Sequence, residues 1–294
     1  MHEALLLQEL RSSRLMIHSS GYETLSLIAN SIISGTYKVD RKDNLISSHF
    51  GDIYFEEDEN GNPVNPFDNW KSGSIAVIPL TGIMFKYGYW WKYGVDDIAD
   101  IIRMAYQSEK ISSVLIKADT PGGAADSLYV IEDILKNKLK PTYMLTDGML
   151  CSCGYIAGSF CDKIYALNKM CKVGSIGVFA RLVFYKNDEK SGYQIKDVYP
   201  DASSFKNLPE REAAEDNDQL LKDELQKLAL HFQDIVKENR PKLDVGIEGI
   251  ISGKVFYAYE GAEYGLIDGI KSYREVIAEL TTITETRKKI ISFI

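Results

Sequence analysis

Ser152 could do covalent chemistry, because it follows an apolar stretch typical of a strand and lies among small residues. The local order is Cys151-Ser152-Cys153-Gly154, and the apolar run after it predicts a helix. A serine at this point could simply cap the helix. It could also be a nucleophile that attacks a carbonyl group, with the backbone N–H of Cys153 directed at the resulting oxyanion.

A second loop could supply the other half of an oxyanion site. Gly122 and Gly123 come shortly after the apolar run SVLIKA, behind Asp119-Thr120-Pro121. Glycine lets a chain turn sharply and bring its N–H groups close to a substrate, so the N–H of Gly123 could face the same point as that of Cys153. The alternative is an ordinary Pro-Gly-Gly turn before a helix.

A serine nucleophile needs a base, and no histidine is well placed to be one. His2, His18 and His49 precede the part of the chain that is rich in strands, whereas His231 falls within a long predicted helix. A Ser-His-Asp triad is therefore not expected.

The four cysteines lie within residues 151–171 and leave a further alternative open. A thiolate is a better nucleophile than a hydroxyl, so Cys151 or Cys153 could act in place of Ser152. Buried, unpaired thiols are the simpler interpretation. Their spacing departs from that of structural zinc sites, and neither a metal nor an organic cofactor is predicted.

Strands and helices alternate around these loops. Apolar runs predict strands at 74–80, 113–118, 142–145, 163–167 and 177–179, and the helical patterns fall around 95–105, around 126–135, after residue 152 and between residues 210 and 239. Such alternation is typical of an α/β fold with a mostly parallel sheet covered by helices. Ligands bind at the carboxyl ends of the strands in such sheets, where both loops lie.

Changes in composition and periodicity along the chain predict an arm, a compact domain and a tail. Residues 1–70 predict a helical N-terminal arm, with one or two short amphipathic helices between Leu5 and Ile33, followed by a linker rich in Asp, Asn, Gly and Pro. The compact domain is expected at residues 71–280. Residues 281–294, which end in TRKKIISFI, are expected to be a frayed C-terminal tail, and the alternative is an amphipathic tail that docks on a partner.

Composition and charge argue against several classes of function. The chain has 294 residues, of which 45% are apolar, so it can bury a sizeable core. The 34 Lys and Arg residues against 42 Asp and Glu residues give a net charge of −8, which opposes nucleic-acid binding. Neither a signal peptide nor a membrane anchor is visible, so we expect a soluble, cytoplasmic protein with reduced thiols.

Four blocks in this order resemble the signal peptide peptidase A family of serine peptidases, which has the Clp-protease/crotonase fold. They are VLIKADTPGG, LCSCGYIAGSFCDKIYAL, VGSIGV, and GKVF continuing to GLID. The resemblance covers residues 74–270. Thr120 stands where the family has Ser, and Leu150-Cys151-Ser152-Cys153-Gly154 stands where the family has Ala-Ala-Ser-Gly-Gly.

The resemblance implies a Ser-Lys dyad whose lysine is Lys206, in the segment before the long helix. Neutral Lys206 would take the proton of Ser152, which requires that its ammonium group be desolvated. The N–H groups of Gly123 and Cys153 would stabilise the oxyanion. Candidates to support these groups are Gly122, Ser175 and Ser204.

Family members assemble into rings with sites where subunits meet, so the resemblance also implies a homo-oligomer. Lys206 would then serve the Ser152 of its own or of a neighbouring protomer. Tyr89, Trp90 and Trp91, in the loop after the first strand, are candidate ring contacts or walls of the cleft.

The soluble branch of this family is encoded by tailed phages and prophages and cleaves scaffold and capsid proteins during prohead maturation. The long N-terminal arm and the segment IAVIPLTGIM resemble that branch, so we expect a serine endopeptidase of this kind in the host cytoplasm or the prohead. Three alternatives remain. They are a housekeeping protease like the signal peptide peptidases, a crotonase-type acyl-CoA enzyme with a carboxylate base and a CoA site, and a non-catalytic assembly protein.

Overall fold

A computed structural model of the chain describes residues 15–19, 21, 27, 64–88, 93–182 and 198–292. Its strands are β1 (Leu15–Ile17), β2 (Ser74–Thr81), β3 (Ile111–Thr120), β4 (Gly122–Ala124), β5 (Thr142–Cys151), β6 (Lys163–Ala166), β7 (Lys172–Gly174), β8 (Val255–Tyr257) and β9 (Gly269–Ile270). Its helices are α1 (Val95–Gln107), α2 (Ala125–Lys136), α3 (Cys153–Ser159), α4 (Leu208–Ala214), α5 (Gln219–Asn239), α6 (Ala258–Glu263) and α7 (Tyr273–Ser292). Short 3-10 helices span Pro66–Asn69 and Asp201–Ser203.

A seven-stranded sheet organises the molecule. Strands β2, β3, β5, β6 and β9 lie side by side and run parallel, and β7 runs parallel to the end of β5. Only β8, at the far side of β7, is antiparallel among the described strands of this sheet. The expected architecture of a mostly parallel sheet covered by helices is confirmed.

Both faces of the sheet are buried, so its central strands are apolar on both sides. On one face Ile116 and Met144 belong to the main core with residues of helices α1, α2, α3 and α5. On the other face Leu115 and Tyr143 pack with Val276 and Leu280 of α7. Helix α7 continues without a break across residue 281. No helix in the described ranges is long and apolar enough to cross a bilayer.

The start of the chain departs from its expected helical structure at residues 15–17, whereas the described residues 19, 21 and 27 are helical. Residues 15–17 form the strand β1, because they pair with β4 in a small antiparallel sheet. Most of the rest of the arm, and the aromatic residues Tyr89, Trp90 and Trp91, lie outside the described residues. The end of the linker is anchored, since Phe67 is buried in the main core.

Three further expectations about local structure are wrong. Residues 177–179 are not a strand, and the strand of that region is β7, which pairs with the end of β5. Gly122 and Gly123 belong to β4 instead of forming a plain turn, since that strand is paired along both edges. The long helix is two helices, α4 and α5, separated where Asp216 adopts a left-handed φ of 63°.

Candidate active site

Ser152 lies at the sharp turn between strand β5 and helix α3. Its backbone has φ 54° and ψ −124°, a conformation that a residue with a side chain rarely adopts and that costs about 1–3 kcal/mol. Its N–H donates to the Gly174 carbonyl at 2.7 Å, and its carbonyl accepts from the Ile156 N–H at 3.0 Å. Such a strand-to-helix turn presents a nucleophile at the carboxyl edge of an α/β sheet.

The hydroxyl of Ser152 does not cap helix α3. No side-chain hydrogen bond to the helix start is formed, and Oγ instead donates to the Gly177 carbonyl at 3.5 Å. The interpretation of Ser152 as an ordinary N-cap is therefore wrong.

The hydrogen bonds between strand β4 and Met84 determine the direction of the Gly123 N–H. Gly122 accepts from the Met84 N–H at 2.9 Å, and the Ala124 N–H donates to the Met84 carbonyl at 2.9 Å. Neighbouring peptide groups of a strand point to opposite edges, so the Gly123 N–H points away from Met84.

Helix α3 begins against this strand, with Cys153 Sγ 3.9 Å from the Ala124 carbonyl oxygen. As the first residue of the helix, Cys153 has an N–H without a partner inside the helix.

Thr120 joins the two loops. Its hydroxyl donates to the Gly82 carbonyl at 2.6 Å and accepts from the Gly122 N–H at 3.1 Å. Its methyl group packs on Gly154, where an added Cβ would lie 2.3 Å from it. Gly122, which has φ 95°, and Gly154 are thus both fixed to the same threonine side chain.

Lys206 lies in an exposed turn between the second 3-10 helix and α4. The neighbouring Phe205 is 82% exposed. Asn207 donates to the Tyr199 hydroxyl at 3.3 Å, and the Arg211 guanidinium stacks 4.4 Å from the centre of the same ring, which fixes the turn. Within one chain, the described residues do not bring Lys206 within hydrogen-bond distance of Ser152.

The two supporting serines fall into separate places. Ser175, with φ 56°, follows the glycine that binds the Ser152 N–H, and its own N–H donates to the Lys254 carbonyl at 2.9 Å. Ser204 is exposed on the turn of Lys206, and its carbonyl accepts from Arg211. Ser175 thus borders the turn of Ser152, and Ser204 belongs to the turn of Lys206.

The cysteines lie in the interior of the domain. All four are free and buried, and burial raises the pKa of both Cys151 and Cys153 to about 12. Cys153 Sγ lies 3.4 Å from the hydroxyl of Ser127, on the inner side of α3. Burial thus disfavours the thiolate that a cysteine nucleophile would need. The described part of the chain holds no grouping of three or more His, Cys, Asp or Glu suited to a metal.

Sequence reasoning missed the approach of the N-terminal segment to this site. The N–H of His18 donates to the Pro121 carbonyl at 2.7 Å, beside Gly122 and Gly123. Burial lowers the pKa of His18, and the charge of Lys172 lowers it further. No motif marks residues 15–18 as a strand, because three apolar residues carry no usable periodicity.

Comparison with known proteins gives several matches. The model of peptidase family S49 matches residues 134–287, slightly more than half of the chain. Protease 4 of Haemophilus influenzae is 26% identical over 203 residues, which is 66% of this chain and 32% of that protein. Capsid assembly protease C of Escherichia phage lambda is 23% identical over 226 residues, which is 74% of this chain and 51% of that protein. The chain spans about half the length of these relatives or less.

A solved structure of the 1510-N membrane-bound stomatin-specific protease superposes with a TM-score of 0.48 and 16% identity, over 70% of this chain and 84% of that one. The family model is the stronger finding, because it covers more than half of the sequence. It includes Ser152, Ser175 and Lys206, although it begins after Gly123. The family expected from the sequence motifs is confirmed, and this chain belongs to peptidase family S49.

Proposed function

We propose that this protein is a serine endopeptidase with Ser152 as nucleophile and Lys206 as base. The observation that carries the proposal is the left-handed backbone of Ser152 at the turn between β5 and α3. A strained backbone persists only where the surrounding structure holds it in place, and such residues are concentrated at active sites. The N–H groups of Gly123 and Cys153, on the two segments that meet at this turn, are the proposed oxyanion donors.

The reaction follows from these groups as an acyl transfer in two steps. Ser152 Oγ bonds to the peptide carbonyl carbon while its proton passes to Lys206 Nζ. The resulting oxyanion accepts hydrogen bonds from the N–H groups of Gly123 and Cys153. The C–N bond then breaks, and the proton on Lys206 passes to the leaving amine. Water, deprotonated by Lys206, attacks the acyl-enzyme and releases the carboxylate product with Ser152 restored.

The exposed turn of Lys206 supports a site that a second copy of the chain completes. A lysine base must be desolvated to carry a neutral amine near pH 7, and solvent surrounds the turn of Lys206 in a single chain. Phe205 exposes a large apolar surface beside it, as expected of a contact that is made on assembly. We therefore include a homo-oligomer in the proposal, with Lys206 reaching the Ser152 of a neighbouring protomer.

The proposed substrates are scaffold or capsid proteins of a phage or prophage. Support comes from the similarity to the capsid assembly protease of phage lambda, which extends over 74% of this chain. The proposed place of action is correspondingly the host cytoplasm or the prohead interior. The similarity to Protease 4 favours a second candidate, a housekeeping protease like the signal peptide peptidases.

Cleavage of casein, and of the scaffold protein encoded beside this chain where there is one, tests the proposal. Ser152→Ala and Lys206→Ala should each lower kcat/KM by at least about 1,000-fold. Lys169→Ala is the matched control, because Lys169 is likewise exposed in a loop, and it should retain activity. Equal cleavage by all four proteins would overturn the dyad.

A further inference from the structure

Strand β1 is the pairing partner of β4, the strand that carries the proposed oxyanion donor Gly123. It pairs antiparallel with β4, so that Leu15 is opposite Ala124, Met16 is opposite Gly123 and Ile17 is opposite Gly122. Met84 occupies the other edge of β4. Without β1, the edge of β4 that carries the Gly123 N–H would be open, and an open edge accepts an extended peptide as an added strand.

The register determines which groups meet between these strands. Hydrogen-bonded and non-hydrogen-bonded pairs alternate in an antiparallel ladder. His18 and Pro121 form a bonded pair, since the His18 N–H donates to the Pro121 carbonyl at 2.7 Å. Two residues along, Met16 and Gly123 are therefore also a bonded pair, and the Gly123 N–H donates to the Met16 carbonyl.

The carbonyl of Met16 consequently occupies a donor that the proposed mechanism requires. The Gly123 N–H is the group that would stabilise the oxyanion of a substrate, and it cannot serve two carbonyl groups in the same geometry. An extended segment whose carbonyl meets this N–H has the backbone arrangement of a substrate strand.

Burial around the site agrees with an occupied cleft. Ser152 is only 1% exposed, so a peptide carbonyl cannot reach its hydroxyl unless a neighbouring segment moves. Ile17 is 5% exposed, and Gly21 lies so close to Ile17 and Pro121 that a Cβ atom there would clash with both. The segment is thus packed on the β4 loop, and it is a candidate for the part that must leave.

We propose that residues 15–18 are an internal peptide that occupies the substrate strand of this site and inhibits it until they are displaced. The inference rests on the proposed function, because it takes the Gly123 N–H as the oxyanion donor. The competing ligand is an extended peptide with uncharged, apolar side chains, like the Leu-Met-Ile of β1 itself. The chain therefore has a closed state, with β1 on β4, and an open state that binds substrate.

Peptide binding by the full-length chain tests this proposal without depending on catalysis. In a Ser152→Ala background, Met16→Pro removes an N–H that pairs with β4, whereas Leu15→Pro removes an N–H that points away from it. We expect Met16→Pro to lower the Kd for fluorescein-labelled casein at least about fivefold, since one net hydrogen bond is worth about 1 kcal/mol. Leu15→Pro should change this Kd less than about twofold.

A second arm covers the case in which proline disturbs folding, which circular dichroism would detect. Ile17→Asp places a charge at a buried position of β1 and should have the same effect on casein binding. The synthetic peptide SSRLMIHSSG, which corresponds to residues 12–21, should compete with casein for the Met16→Pro protein.

The outcomes separate this inference from the proposed function. Unchanged or weaker casein binding in both Met16→Pro and Ile17→Asp overturns the inhibitory role of β1, even where Ser152→Ala abolishes cleavage. Tighter binding in these variants, without competition by the peptide, also overturns it. Tighter binding with competition supports the inference even where Met16→Pro in the chain with Ser152 intact cleaves nothing, in which case the proposed function alone fails and a non-catalytic assembly role is favoured.

Discussion

The methyl group of Thr120 lies where a side chain at position 154 would have to go. A Cβ atom at Gly154 would stand 2.3 Å from Thr120 Cγ2, and the next atom, Thr120 Cβ, is 3.6 Å away. The hydroxyl of Thr120 meanwhile binds Gly82 and Gly122 on its other side. One side chain therefore sets the distance between the glycine strand and the helix that begins after Ser152.

Gly154→Ala should destabilise the protein, and Thr120→Ser should rescue it. The alanine alone forces α3 and β3 apart, and we expect a loss of about 2–3 kcal/mol in the free energy of unfolding. Serine at 120 removes the methyl group and keeps the hydroxyl, so the double variant should recover most of that loss. Urea unfolding of the two single variants and the double variant measures the coupling, and strictly additive effects would contradict the proposed contact.

Gly123→Ala should destabilise β4 by disrupting its pairing with Met84. A Cβ at Gly123 would lie 1.8 Å from the Met84 carbonyl oxygen, a backbone atom that cannot move without breaking the pairing of β4. We expect a loss of about 3 kcal/mol in stability and a loss of casein cleavage in the fraction that remains folded. Gly177→Ala is the matched stability control, since its Cβ would meet nothing closer than 3.6 Å. Equal melting temperatures for the two variants would contradict the close approach.

Coexpression of Ser152→Ala and Lys206→Ala chains tests whether a neighbouring protomer supplies the lysine. If it does, random assembly leaves about a quarter of the sites with both groups intact, and about a quarter of wild-type cleavage should return. Coexpression of Ser152→Ala with the double variant should return none. An inactive mixture from the first pair, with mixed oligomers shown by mass spectrometry, would place both groups of the dyad in one chain.

The four thiols should be inert in the folded protein. All are buried, and burial raises the pKa of Cys151, Cys153 and Cys161 to about 12, so almost no thiolate exists at about pH 8. Ellman's reagent should detect almost no thiol within minutes in the native chain and four thiols per chain in guanidinium. A thiol that reacts rapidly in the native wild type but is absent from the Cys153→Ala variant would support a mechanism with a cysteine thiolate as nucleophile.

The parts of the fold that the sequence predicts are those with a long local pattern. Strands β2, β3 and β5 and helices α1 and α2 each carry an apolar run or an amphipathic period, and their positions follow from it. Strands β4 and β7 were not predictable, since three residues containing glycine or lysine acquire strand geometry only through their neighbours. The break between α4 and α5 was hidden because apolar residues recur on both sides of it.

The candidate site was partly predictable for the same reason. The motifs indicate Ser152 and the glycine strand β4, which follow the neighbouring strands β5 and β3 of the main sheet. They do not indicate the left-handed φ of Ser152, since that angle depends on hydrogen bonds to Gly174 and Ile156. The occupation of Gly123 by Met16 is a contact between residues more than a hundred positions apart, and no local pattern reports it.

Asp268 offers a test of the electrostatics that hold the far end of the domain. Its carboxylate accepts from the Arg240 guanidinium at 2.8 Å, from the Ile164 N–H at 2.9 Å and from Lys163 Nζ at 3.1 Å. Burial alone would raise the pKa of Asp268, but the Ile164 N–H, Arg240 and Lys163 together outweigh it and hold the pKa below its ordinary value. The charged form is thus more favourable in the folded chain than in the unfolded one.

Asp268→Asn should therefore lower stability at pH 7 and have a smaller effect in acid. A group whose pKa falls on folding contributes stability above its unfolded pKa of about 4, and that contribution is lost as the pH drops through the folded pKa. We expect a loss of about 2–4 kcal/mol at neutral pH, since Arg240 would remain buried without its carboxylate, and a smaller loss at a pH below about 4. Urea unfolding at both pH values measures these losses in stability. Asp234→Asn is the control, because Asp234 forms only an exposed ion pair with Lys237. This control should change stability by less than about 0.5 kcal/mol. An equal loss for Asp268→Asn at both pH values would show that the carboxylate charge is not what stabilises this end of the sheet.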